Sequence, residues 1–180
     1  EAPGIDVASY DQVKASADPA MSFTVPPNPS AVTRVQRYAV VYEVYTSPEK
    51  DELDLRIFPI RGLGLWGTLY GFLALDKDNE TIRGITFYQH KETPGLGGEV
   101  DNPRWKAAWP GRKAFDESGE PAIQVIKGPA GPPSEAPYSV DGLSGATITS
   151  NGVTNLLQFW LGDEGFGPYL DQLRAEGSEA

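Results

Sequence analysis

With 180 residues and 39% hydrophobic side chains, the chain can build one substantial core, and a single domain is the default reading. Its 25 acidic residues against 15 basic ones give a net charge of -10, which repels phosphate backbones and anionic headgroups and argues against nucleic-acid binding. The absence of cysteine and the single histidine, His90, exclude disulfides, thiolate and iron–sulfur sites, a cysteine nucleophile and multi-histidine metal centres, so chemistry falls to hydroxyls, carboxylates, backbone dipoles or an organic cofactor.

No apolar run approaches the roughly 20 residues that cross a bilayer, and no signal-peptide pattern opens the chain. It begins at Glu1 without an initiator Met, which leaves room for an anchoring or targeting segment ahead of it. Residues 16–33 are rich in Pro, Ser, Ala and Asn, and Pro26, Pro27 and Pro29 block regular structure, so residues 1–37 read as an irregular N-terminal strap. The main domain then runs over 38–180. Val40, Val41, Tyr42, Val44 and Tyr45 mark a strand over 38–46, Pro48 to Glu52 turns the chain, and 55–60 is a second short strand. Two further apolar-aromatic runs, 67–75 and 81–90, flank the polar stretch Asp76 to Glu80, which has hairpin length. His90 closes the second run with a partly exposed ring. Asn102 and Pro103 predict a helix start, with the helix running to Trp109. Ala122 to Lys127 reads as a strand and Gly128 to Pro137 as a breaker.

The clearest helix follows, because Val153, Leu156, Leu157, Trp160 and Leu161 fall at i, i+3, i+4, i+7 and i+8. Gly162 and Gly165 end it, and Pro168 begins a last short helix through Leu173. Strands followed by helices, without βαβ alternation, predict an α+β fold with a largely antiparallel sheet and flanking helices.

Candidate chemistry sits just before the long helix, in Asp141-Gly142-Leu143-Ser144-Gly145-Ala146-Thr147-Ile148-Thr149-Ser150. Ser144, Thr147, Thr149 and Ser150 offer hydroxyls with small Gly145 and Ala146 between them. Such a segment either supplies a Ser or Thr cap, Thr149 or Ser150, or presents a phosphate site at the positive end of the helix. Local chemistry leaves both open. A second segment, Thr93 to Gly98, carries one Pro and three Gly residues and reads either as an ordinary connection or as a loop able to follow a flat ligand.

Asp141 to Thr147 resembles the flavinylation motif of the FMN-binding domain family. Asn151 to Leu170, Gly64-Leu65-Trp66 with Leu69 to Phe72, Glu92 to Val100, and Ile5-Asp6-Val7 resemble the C subunit of the sodium-translocating NADH:quinone oxidoreductase family. The resemblance covers nearly the whole chain. It implies an electron-transfer subunit with FMN attached through its phosphate to Thr147, by a flavin transferase that reads Asp141 and Gly142 beside Ser144, Gly145 and Ala146. Thr149 also lies near the phosphate. Glu92, Thr93, Leu96 and Gly97 become the implied isoalloxazine contacts, with Trp66 a weaker one, while Trp105, Trp109 and Trp160 read as core or interface. The implied partners are the other membrane subunits of a sodium-exporting complex that oxidises NADH and reduces quinone, with the soluble part on the extracytoplasmic side of the bacterial inner membrane. No Gly-x-Gly-x-x-Gly turn joins a strand to a helix, so the isolated domain is not expected to oxidise NADH itself. The alternatives are the related G subunit of the Rnf complex and a cofactor-free structural module of a membrane assembly.

Overall fold

The N-terminal residues are more ordered than their proline content implies. In the computed structural model, which describes residues 4–178, they form α1 (Gln12–Ala17), β1 (Ser22–Thr24) and β2 (Arg34–Gln36). Asp11 caps α1 by accepting from Val13 N and Lys14 N. β1 and β2 pair antiparallel, and the three prolines fall in the connection between them, where Asn28 Nδ2 donates to Val32 O at 2.7 Å. Val25, Val32 and Val35 enter the common core, so tertiary docking supplies the order that local composition withholds.

The central sheet comprises β3 (Tyr42–Tyr45), β4 (Leu53–Leu63), β5 (Thr68–Asp76) and β6 (Ile82–Gln89), antiparallel throughout and in that spatial order. β3 is shorter than the strand expected over 38–46. The residues ahead of it turn toward the N-terminal layer instead, Arg37 N donating to Met21 O and Val40 N to Gln12 Oε1. β4 extends past the expected 55–60 and contains Pro59. The β3 ladder ends at the Tyr42–Ile57 pair, so beyond that point β4 has no strand neighbour on one side and loses nothing through a missing N–H. β5 alternates half-buried and buried residues along its length, with Leu69, Leu73 and Leu75 facing inward beside Phe58 and Ile60 of β4.

After β6 a 3-10 turn (Gly97–Asp101) leads into α2 (Pro103–Lys106), capped by the Asn102 side chain as the sequence implies, but one turn long. β7 (Gln124–Val125) is a shortened version of the expected strand and pairs in parallel with β8 (Ser139–Val140). α3 (Thr147–Leu161) then crosses the inner sheet face, followed by α4 (Gly167–Ser178). All five residues of the predicted apolar stripe are buried, each contributing roughly 1.5–3 kcal/mol. Close approach depends on Gly62, where a methyl group would sit 2.5 Å from Leu156 Cβ. Trp160 Nε1 donates to Arg61 O at 2.7 Å, so the buried indole keeps its hydrogen bond. The architecture is the α+β arrangement expected, with β7–β8 its parallel exception. No helix among the described residues is long and apolar enough to cross a membrane.

Candidate functional site

The loop between β8 and α3 is held tightly on its upstream side. Asp141 Oδ1 accepts from Ala130 N at 2.8 Å, its carbonyl accepts from Trp105 Nε1 at 2.9 Å, and Gly142 N donates to Gly128 O at 2.9 Å. A side chain at Gly142 would strike the Ile126 carbonyl. Leu143 N donates to Ser150 Oγ at 3.1 Å, and Ala146 N returns to Leu143 O at 3.0 Å. This turn requires the left-handed backbone of Gly145, φ 71°. Asp141 and Gly142 therefore have structural roles in addition to any recognition role.

α3 starts at Thr147, earlier than the sequence pattern places it, and its N-cap residue Ala146 makes no side-chain cap. Thr149 and Ser150 are thus not caps. Both lie inside the first turn and are buried, Ser150 tied to Leu143 and Thr149 Oγ1 donating to Glu92 Oε2 at 2.5 Å. Of the four hydroxyls, Ser144 and Thr147 are the exposed pair, and neither side chain makes a hydrogen bond to the described residues. The Thr147 hydroxyl thus stands beside first-turn N–H groups that no side chain satisfies, at the positive end of a 15-residue helix. A cleft of about 310 Å³ opens there, lined among others by Lys127, Gly128, Ser144, Gly145, Thr147 and Asn151. Lys127 adds a positive charge to it. Cation, helix end and free hydroxyl together suit a phosphoester.

The second segment divides in two. Thr93 and Leu96 are exposed, and Leu96 Cδ2 would lie 3.0 Å from a methyl group at Gly145, so the two loops meet. Glu92 and Gly97 are buried. Both Glu92 oxygens are engaged, Oε1 by Leu65 N at 3.0 Å and Trp66 N at 2.9 Å, and Oε2 by Thr149. A carboxylate this enclosed serves its neighbours. The same holds for the Thr149 hydroxyl. Trp66 is the exposed tryptophan, at 63%, whereas Trp105, Trp109 and Trp160 are buried as expected. Leu65, Leu96 and Ile148 are exposed with it, leaving an apolar rim around the β8–α3 loop. Ile148 and Lys127 were missed by sequence reasoning. The signal for Ile148 was its place off the buried α3 stripe; for Lys127 no local signal existed. His90 accepts from Glu92 N through Nδ1 at 3.1 Å and meets Asp101 Oδ2 through Nε2 at 2.8 Å, so Nε2 carries the proton and the ring ties the loop to the 3-10 turn.

One string with dinucleotide-fingerprint spacing, Gly62-Leu63-Gly64-Leu65-Trp66-Gly67, spans the turn from β4 to β5 with no helix after it. It lacks the helix N-terminus that would hold a pyrophosphate.

Residues 64–162 match the family described as FMN-binding domain. The chain is 53% identical over 172 residues to the C subunit of the Na(+)-translocating NADH-quinone reductase of Pseudomonas aeruginosa, an alignment covering 94% of this chain and 65% of that protein. It therefore spans about two thirds of that relative's length. Among solved structures, Shewanella oneidensis NqrC superposes with a TM-score of 0.86 at 35% identity, covering 94% of this chain and 76% of that one. The C subunit of the Na(+)-translocating NADH-quinone reductase of Parabacteroides distasonis gives 0.64 at 31% identity, covering 92% and 70%.

Proposed function

The chain belongs to the FMN-binding domain family, among the C subunits of Na(+)-translocating NADH-quinone reductases, and on that premise we propose that it is an electron-transfer domain carrying FMN in phosphoester linkage to Thr147. The observation that carries this reading is the contrast within one helical turn: the Thr147 hydroxyl is exposed and unengaged, while that of Thr149 is buried and bonded to Glu92. Esterification of Thr147 disturbs no hydrogen bond of the fold. The residues fit the group at three points: a free hydroxyl at an uncapped helix start, a cleft bearing Lys127, and an apolar rim of Leu65, Trp66, Leu96 and Ile148.

When bound, FMN supplies reversible electron transfer, and the protein supplies attachment, orientation and electrostatics. Thr147 Oγ would hold the FMN phosphate as its ester. Helix-end N–H groups and Lys127 would balance the remaining phosphate charge. Ser144 and Gly145 keep the approach open to a flavin transferase, and Asp141 and Gly142 give the loop the shape that the transferase reads. Thr93, Leu96 and Trp66, all exposed, would hold the ring.

The partners in this reading are the other membrane subunits of a sodium-translocating NADH:quinone oxidoreductase, with this domain on the extracytoplasmic face of the inner membrane. Electrons then reach it from a protein-bound centre and not from NADH, because no Gly-x-Gly-x-x-Gly turn leads from a strand into a helix among the described residues to hold a dinucleotide. Two measurements test the proposal. Protein made with a flavin transferase should show a fluorescent band after denaturing electrophoresis, and protein made without one should not. The flavinylated chain should be reduced by dithionite but not appreciably by NADH in stopped-flow absorbance. A colourless product in the presence of an active transferase removes the flavin assignment, and rapid reduction by NADH makes the chain a dehydrogenase in its own right.

A further inference from the structure

The geometry points to Glu92 as a positioning residue that assembles the flavin seat before any flavin is attached, a role that rests on the flavin reading of the site. Glu92 is 5% exposed and forms no ion pair with any described residue. A buried carboxylate without a cation must be compensated by hydrogen bonds. Three donors do so, and they come from two places remote in sequence: the Leu65 and Trp66 amides of the β4–β5 turn, and the Thr149 hydroxyl of the first turn of α3, 57 residues away. The Glu92 amide is itself anchored by His90 Nδ1.

Each segment tied to this carboxylate delivers a group to the rim around Thr147. The β4–β5 turn delivers Leu65 and Trp66, the loop following Glu92 delivers Leu96, and the first turn of α3 delivers Thr147 and Ile148. The surroundings are shaped for the carboxylate. A methyl group at Gly64 would lie 2.6 Å from Oε1, and one at Gly97 would lie 2.5 Å from both Oε2 and Thr149 Oγ1. An apolar side chain would fill this interior but leave the Leu65 and Trp66 amides and the Thr149 hydroxyl without their acceptor. What the carboxylate adds is direction: its two oxygens fix the turn and the helix start in one mutual arrangement.

The test uses the chain flavinylated by a transferase, with Glu92→Ala, Glu92→Gln and Thr149→Val. In Glu92→Ala the Leu65 and Trp66 amides should exchange with deuterium at least about tenfold faster than in the parent. In Glu92→Gln they should stay within about threefold of it, because the amide oxygen still accepts. Covalent flavin should persist in every variant, since Thr147 is untouched. The fluorescence anisotropy of the native, tethered flavin should fall by roughly a third in Glu92→Ala and less in Thr149→Val, and Glu92→Gln should restore it. A purely structural role would lower thermal stability without moving the anisotropy. If Glu92→Ala does not fold, Thr149→Val carries the test, with lowered anisotropy the supporting result. Unchanged exchange of Leu65 and Trp66 in folded Glu92→Ala overturns the assignment, and so does unchanged anisotropy in Thr149→Val and in any folded Glu92→Ala. Absence of a covalent band from the unsubstituted chain overturns the reading of the site itself, whereas bands throughout with unmoved anisotropy overturn only the role of Glu92.

Discussion

The two ends of α3 are built to opposite specifications. From Val153 to Leu161 the helix commits six of its nine residues to the core, with Leu156 and Leu157 fully buried and Gly62 beneath them to allow contact. At its start, Thr147 and Ile148 face solvent and no side chain caps the free N–H groups, although a cap would stabilise by about 1 kcal/mol. The docked body makes the exposed start tolerable: a helix held by tertiary packing can leave its N-terminus unsatisfied, and so available to an anion.

Thr147→Ala is the sharpest way to break this comparison. It should abolish covalent flavin entirely while leaving the thermal midpoint within about a degree, because no hydrogen bond is lost. Fluorescence after denaturing electrophoresis, paired with a thermal melt, reads both. Persistent fluorescence here, with its loss in Thr149→Ala, would move the attachment point. At the other end, Leu156→Ala should cost about 2–5 kcal/mol in denaturant unfolding and still accept flavin wherever the chain remains folded. A loss under about 1 kcal/mol would mean that α3 is not docked as described.

Thr149→Ala lies between the two regions and should behave like the body. Flavin should remain, and stability should fall by about 1–3 kcal/mol because Glu92 Oε2 loses its donor. Asp141→Ala should block flavinylation in the presence of transferase and cost about 1 kcal/mol, from the hydrogen bond to Ala130. A product that is unfolded as well as unflavinylated would assign Asp141 to structure alone.

The smallest effect serves as a control in the β5–β6 hairpin, outside the cleft at the start of α3. Burial works to raise the Asp78 carboxyl, yet hydrogen bonds from the Thr81 hydroxyl and the Thr81 and Glu80 amides, with Lys113 nearby, hold it below its ordinary 3.8. A depressed folded value contributes stability that is complete above pH 3.8 and is lost as pH falls through the folded value. Asp78→Asn should therefore melt lower than the parent at neutral pH, converge with it in strong acid, and leave flavinylation unchanged at every pH. A difference that persists undiminished in acid would assign the effect to packing.

Periodicity made much of the fold legible. The alternation over β5 and β6, the polar loop between them, the Asn102–Pro103 helix start and the five-residue stripe of α3 are local patterns, and each reflects the geometry of its own element. The exposed Thr147 likewise follows from a motif contained in consecutive residues. Other features were decided by segments distant in sequence. Proline marked residues 26–29 as irregular, but contacts of Val25, Val32 and Val35 with the core ordered the strands on either side. α3 gained its extra first turn, and Ser150 and Thr149 became interior hydroxyls, because Leu143 and Glu92 arrive to meet them. Glu92 ties the β4–β5 turn to α3 for the same reason. Hydrophobic spacing tells a residue which face of its own element it occupies, whereas the partner of a buried polar group depends on which remote backbone the fold brings within about 3 Å, and only the assembled tertiary structure determines that.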